Sequence, residues 1–218
     1  MPSVSEIAAV ILCGGNSRRM GQDKALLRFG RQSLLERAIT IVSPVASRVA
    51  LACGKSERYR ELGLPLLLDE DNEAGPLGGM RVALRGAERP WVLVLACDMP
   101  RVVPQMYEEL LAKVVLDDLD VCLFEHSAGQ EPLCAVLSQA CLDSIDAALA
   151  AGERRATSFW NYPTADGRAL RIGTIAADAR TSNSLQNLNT PQALEEALKI
   201  VDAPSRHDAS AGEEESAS

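Results

Sequence analysis

Ile7-Ala8-Ala9-Val10-Ile11-Leu12-Cys13 runs without a polar side chain into Gly14-Gly15-Asn16-Ser17-Arg18-Arg19-Met20-Gly21-Gln22-Asp23-Lys24. An apolar, β-preferring run that stops at a glycine pair reads as a buried strand handing the chain to a turn. Residues 14–24 hold three glycines, two arginines and a lysine. Glycines let backbone N–H groups approach an anion closely and the cations neutralise its charge, so the segment reads as a phosphate-binding loop. It is not a P-loop, because Gly-x-x-x-x-Gly-Lys-Ser/Thr is absent, and it lacks the Gly-x-Gly-x-x-Gly dinucleotide fingerprint.

Working outward, strands alternate with helices over the first hundred residues. After a connector at Leu26 to Phe29, Ser33 and Glu36 have the spacing of a capping box and start a helix reaching about Ser43. Arg48 to Cys53 reads as the second strand, Lys55 to Leu62 as a short helix, and Pro65 to Asp69 as the third strand. The turn-rich segment 70–79 opens a helix to about Gly86, and Trp91 to Ala96 is an apolar run typical of a strand buried on both faces. Pro104 to Leu116 has amphipathic helical spacing, and strands follow at Val121 to Glu125 and Pro132 to Leu137. Helical pieces at Ser138 to Ala150 and Arg154 to Phe159, a strand near Leu170 to Ile175, and a last helix at Pro191 to Val201 with Thr190 as its cap complete the pattern.

This order predicts an α/β fold: a single domain over residues 1–201 with a doubly wound, mostly parallel or mixed, Rossmann-like sheet. Residues 202–218 are polar and aperiodic, and read as a disordered acidic tail. Such sheets bind ligands at the carboxyl ends of their strands. Gly14, Asp69 and Asp98 each follow a predicted strand end, so one crevice is expected to collect them.

The net charge of −8 opposes attraction to nucleic acid or an anionic membrane, so a phosphate ligand needs a local basic pocket. The chain opens with nothing resembling a secretion signal and has no membrane-spanning apolar stretch; a cytoplasmic protein is expected. Six cysteines, Cys13, Cys53, Cys97, Cys122, Cys134 and Cys141, show no C-x-x-C spacing and read as buried reduced thiols. With two histidines in the chain, a histidine-centred catalytic or metal site is not expected.

Asp98 ends a buried strand ahead of Met99-Pro100. A carboxylate beside a phosphate loop suits Mg²⁺, which takes hard oxygen donors and bridges protein carboxylate to substrate phosphate. Asp69 is a candidate for reading a base, since a carboxylate can accept two hydrogen bonds from the N1 and N2 donors of guanine.

Leu12-Cys13-Gly14-Gly15-x-Ser17-x-Arg19-Met20-Gly21-x-Asp23-Lys24 resembles the signature of nucleotidyltransferases that transfer a nucleoside monophosphate from an NTP. With Gly75-Pro76-Leu77-Gly78-Gly79, Cys97-Asp98-Met99-Pro100, Gly152-Glu153-Arg154-Arg155 and Asn187-Leu188-Asn189-Thr190-Pro191, the chain is most similar to the molybdenum cofactor guanylyltransferase family. The resemblance spans about residues 7 to 200. It implies that GTP and molybdenum-molybdopterin yield the guanine dinucleotide cofactor and pyrophosphate, with Mg²⁺ as cofactor. It also implies that Leu12, Cys13, Gly14, Gly15, Ser17 and Asp69 bind the nucleotide, that Lys24 meets its phosphates, and that Asp98 holds the metal. Arg19, Lys24 and Asp98 would be the catalytic set, with Arg19 on the leaving pyrophosphate. Asn187 and Asn189 would bind the acceptor or support the metal, and Arg154 and Arg155 would either meet the acceptor phosphate or cover a helix. Transient contacts with cofactor-delivering proteins and molybdoenzymes are in keeping with such a product.

One departure stands out: where relatives often carry an asparagine after the second strand, this chain has Ala52-Cys53-Gly54. A contact to the nucleoside is therefore missing or replaced. Two other readings follow the same residues, a molybdopterin cytidylyltransferase and a non-catalytic nucleotide- or cofactor-binding protein. Asp23-Lys24 leans toward guanine in the first case, and Lys24 together with Asp98 counts against the second.

Overall fold

Nine strands and five helices alternate along a computed structural model that describes residues 1–14, 23–69, 75–188 and 193. The first strand, β1 (Ile7–Leu12), lies between β4 (Arg48–Gly54) and β6 (Trp91–Ala96), parallel to both. β5 (Leu66–Leu68) extends the sheet beyond β4. On the other side come β8 (Gly129–Ser138), β7 (Val121–His126) and β9 (Ile172–Ala176), giving the order β5-β4-β1-β6-β8-β7-β9. Only β8 runs against its neighbours in this sheet, so the expected mixed, mostly parallel sheet is present.

Alternation along β1 splits the core into two layers. Ile7, Ala9, Ile11 and Cys13 pack toward α1 (Leu34–Val42) and α3 (Pro104–Leu116), while Ala8 and Val10 pack toward α2 (Gly75–Ala87) and α4 (Cys141–Ala150). Val92, Leu93, Val94 and Leu95 of β6 are fully buried, as a strand covered on both faces requires. The Ser33–Glu36 capping box at α1 forms both of its bonds, an N-terminal device worth about 1 kcal/mol. All six cysteines are buried free thiols.

The predicted α3 matches residue for residue, and other elements shift. The helix expected over Lys55 to Leu62 shrinks to one 3-10 turn at Arg60–Leu62, because Tyr59 takes a left-handed conformation, φ +67°, that no helix continues. Inside the connector before α1 lies a short hairpin, β2 (Arg28–Phe29) with β3 (Gln32–Ser33). α4 starts at Cys141 rather than Ser138, since β8 extends to Ser138. The piece expected at Arg154 to Phe159 is a 3-10 turn at Ser158–Asn161, and α5 (Ala179–Ser184) is an additional short helix. The expected last helix and tail, 191–201 and 202–218, lie outside the described residues apart from residue 193. No helix among the described residues is long and apolar enough to cross a membrane.

Candidate active site

The parallel strands end level with one another: Leu12 is registered with Ala52 of β4 and with Ala96 of β6. Their exits form one rim. Cys13 N and Gly14 N both donate to Ala52 O, at 3.0 and 2.8 Å, Asp69 N donates to Gly54 O at 2.9 Å, and Cys97 N donates to Leu12 O at 3.2 Å. Gly14 is required here, because a Cβ on it would lie 2.5 Å from Gly54 N. Gly54 itself sits at φ +68°, so backbone lies against backbone at the exits of β1 and β4.

Lys24 and Asp98, 74 positions apart in sequence, meet on this rim: Lys24 Nζ lies 2.5 Å from Asp98 Oδ2. Both side chains are mostly buried, at 16% and 18% exposure. Asp23, just before the lysine, caps the 3-10 turn Lys24–Leu26 through Ala25 N at 3.2 Å. Its carboxylate also accepts from Tyr59 Oη at 2.7 and 2.8 Å and from Arg58 Nη1 at 3.1 Å. Among the described residues Cys13 and Cys53 face each other with sulfurs 3.7 Å apart, and this bond together with burial pushes the Cys13 thiol up. Burial and then the charge of Asp98 push the Cys97 thiol up to about 12. The same bond to Cys13 holds the Cys53 thiol below its ordinary value, while burial keeps Cys13 and Cys97 protonated.

On the far side of Asp98 the antiparallel β8 brings in an acid that no sequence motif flags. The β6–β8 ladder ends with Leu95 paired to Cys134, and Glu131 stands just before that point on β8, close enough for the charge of Asp98 to act on it. Glu131 is 8% exposed. Burial, with Asp98's charge adding to it, raises its carboxyl above the usual range against the bonds it accepts. Those bonds come from Leu133 N at 3.2 Å and Asn187 Nδ2 at 3.4 Å. Leu188 N donates to Asp98 O at 2.9 Å, so the segment carrying Asn187 is fastened to the same strand exit. With its Nδ2 on Glu131, Asn187 keeps a buried Oδ1 that has no hydrogen-bond partner among the described residues.

Asp69 stands at the exit of β5, where Arg81 of α2 donates to it at 3.1 Å. The N-terminus of α2 opens on Gly75 at φ +59°, where a Cβ would lie 3.0 Å from Arg154 O. Two of the sequence motifs therefore touch. Arg154 itself donates to Leu149 O and Glu153 O, at 3.3 and 2.8 Å, and so secures the end of α4. Gly15, Ser17, Arg19 and Asn189 lie outside the described residues.

A divalent ion suits this donor set. Among the described residues no cluster of three or more His, Cys, Asp or Glu side chains is arranged to hold a metal. The hard oxygen donors at this exit are Asp98, partly buried and paired with Lys24, the nearby acid of Glu131 and the unpartnered amide oxygen of Asn187. Mg²⁺ is typically held this way, by one or two carboxylates completed by substrate phosphates and water.

A doubly wound sheet whose rim places a lysine against a strand-end aspartate, beside a tight glycine approach, defines an NTP-using nucleotidyltransferase. A family model described as the MobA-like NTP transferase domain matches residues 9–166, and the chain belongs to that family. The probable molybdenum cofactor guanylyltransferase of Pelotomaculum thermopropionicum is 34% identical over 197 residues, covering 90% of this chain and 94% of the relative. The molybdenum cofactor guanylyltransferase of Shewanella loihica is 31% identical over 190 residues, covering 86% of this chain and 93% of its own. Among solved structures, molybdopterin-guanine dinucleotide biosynthesis protein A from Archaeoglobus fulgidus shares the fold, with a TM-score of 0.74 at 23% identity over 89% of this chain and 98% of that one. The fold also extends to 2-C-methyl-D-erythritol 4-phosphate cytidylyltransferase from Thermus thermophilus, with a TM-score of 0.63 at 16% identity over 88% of this chain and 97% of that one.

Sequence reasoning missed Arg58, Tyr59, Arg81 and Glu131. Each is an ordinary polar residue in its local context. The signal in Glu131 is a charge next to Pro132 in an otherwise apolar strand pattern, Glu131-Pro132-Leu133-Cys134-Ala135-Val136-Leu137.

Proposed function

We propose that the enzyme transfers GMP from GTP to the terminal phosphate of molybdenum-molybdopterin, forming the guanine dinucleotide cofactor and pyrophosphate. The observation that carries this reading is the contact between Lys24 and Asp98 at the common strand rim; the names of the relatives supply the choice of substrates. An oxygen of the acceptor phosphate attacks the α-phosphorus in line, its new P–O bond forming as the bond from that phosphorus to the α–β bridging oxygen breaks. The electron pair leaves with pyrophosphate. Such transfers need positioning and charge neutralisation rather than a covalent nucleophile.

In this reading Lys24 turns from Asp98 to the phosphates of the nucleotide, and Arg19 neutralises the leaving group. Asp98 would hold Mg²⁺, which when bound would neutralise phosphate charge. The backbone of Leu12 to Gly14 with Gly15 and Ser17 seats the nucleoside side, and Asp69, steadied by Arg81, reads guanine. Asn187 and Asn189 face the acceptor. The reaction belongs in the cytoplasm, where transient contacts with cofactor-delivering proteins and molybdoenzymes would pass the product on.

Pyrophosphate release with acceptor and Mg²⁺, measured with GTP and with CTP, tests the reading. The expected preference for GTP is about ten- to hundredfold, the discrimination a bidentate base contact supplies. Equal rates remove Asp69 from base reading, and a preference for CTP replaces guanylyl by cytidylyl transfer.

A further inference from the structure

Arg58 follows β4 in a stretch without regular secondary structure, and its guanidinium has three destinations. Nη2 donates to the carbonyls of Cys13 and Cys53, at 3.0 and 3.4 Å, and Nη1 donates to Asp23 at 3.1 Å. Its Cζ lies 5.2 Å from the centroid of the Tyr59 ring, whose hydroxyl donates to the same aspartate. Tyr59 is 4% exposed and held in the left-handed region, a conformation that costs a non-glycine residue energy and persists only where surroundings fix it. The exits of β1 and β4 and the residue preceding Lys24 are thus joined through one side chain. Asp23 is bonded along the chain to Lys24, and Lys24 reaches Asp98.

We infer that Arg58 is a positioning residue of the nucleotide site: it fixes where the Asp23-Lys24 pair stands relative to the β1 exit, and so where the Lys24 ammonium meets the triphosphate. The planar fork is what the geometry demands, because three acceptors on three segments lie around one group; a lysine presents a point charge and cannot span them. This inference rests on the proposed role of Lys24 toward the nucleotide. It also gives a function to the stretch after β4: the β4 exit is organised from Arg58.

The test uses the full chain with Arg58→Met and Arg58→Lys. Binding of a fluorescent GTP analogue with Mg²⁺ is titrated without acceptor, and transfer kinetics are then measured with both substrates varied. The expected result is a nucleotide Kd and KM raised about tenfold in Arg58→Met and an acceptor KM within twofold of the unaltered enzyme. Arg58→Lys should fall between the two. Pairing Arg58→Met with Asp23→Asn should weaken binding by much less than the product of the single effects, since both break one linkage. Should Arg58→Met fail to fold, Arg58→Lys with the same titration decides the matter. Unchanged nucleotide affinity in the folded variants overturns the inference while leaving the proposed function intact, as does an equal rise in both KM values. Absence of nucleotide binding by the unaltered enzyme overturns the proposed function and the inference with it.

Discussion

The two halves of the rim are built on opposite electrostatic plans. Around β1 and β4, charges are matched: Asp23 is held by Arg58 and Tyr59, and Asp69 at the neighbouring exit by Arg81. Around β6 and β8, acids are gathered: Asp98 shares a corner with Glu131, whose carboxyl is raised by burial and by that neighbour, and Asn187 shows an oxygen without a partner among the described residues. A matched network is rigid before ligand arrives, which lowers the ordering cost of binding. There Lys24 balances Asp98, and Glu131 is a buried acid whose carboxyl is pushed toward its neutral form. On the proposed function, the preorganised half would seat the nucleotide and the half around Asp98 and Glu131 would meet the acceptor.

Removing the aspartate shared by both plans has the largest expected effect. Asp98→Ala should lower kcat by about a thousandfold or more, in the range seen when a main electrostatic stabiliser is lost, with the far-ultraviolet circular dichroism unchanged. Normal turnover in that variant removes the metal role and breaks the comparison outright.

Glu131 separates the halves more finely. Glu131→Leu leaves the Asn187 amide without its acceptor and should raise the acceptor KM about five- to tenfold, the cost of one unsatisfied buried donor, with the nucleotide KM unchanged. Glu131→Gln keeps an oxygen for that amide and should restore the acceptor KM to within twofold. If initial-rate kinetics show the nucleotide KM shifting instead, the two halves are not separate.

The smallest effect, on stability alone, calibrates matched against gathered acids. Asp120, just before β7, is 3% exposed. Burial works to raise its carboxyl, but the two Arg168 bonds at 2.5 and 2.8 Å and the Arg171 N–H at 2.8 Å overcome it and hold the group down to about 2. A pKa depressed on folding contributes stability above the unfolded value near 4, and that contribution fades as pH falls from about 4 to about 2. Asp120→Asn should therefore be less stable than the unaltered protein by about 2 kcal/mol at pH 7, with the gap closing across that window in urea titrations. A gap that stays constant with pH shows that Asp120 contributes through shape rather than charge.

What the sequence made legible follows from how locally each feature is encoded. β6 and α3 were readable because a run buried on both faces and a helical periodicity are written in consecutive residues. Lys24 and Asp98 could be named as a pair because motif spacing and strand ends converge on the rim. Lys55 to Leu62 misled because its composition favours a helix while Tyr59 turns left-handed, with its hydroxyl on Asp23, 36 positions away. Tertiary contacts overrode local preference there. The Arg58 linkage and the Glu131–Asn187 contact stayed hidden for the same reason, since the partners lie 35 to 56 positions apart and neither Arg58 nor Glu131 belongs to a motif.

The reversed direction of β8 has a consequence of its own. Its six companions present their trailing ends at the rim, whereas β8 presents its leading end, so Glu131 stands only a few residues after the tight bend that follows His126. That bend is a natural splice point. Lengthening or recomposing it would remodel the surroundings of Glu131 while leaving the exits of β1 and β4 untouched; on the proposed function, one scaffold could in this way take up new acceptors without relearning how to grip a triphosphate.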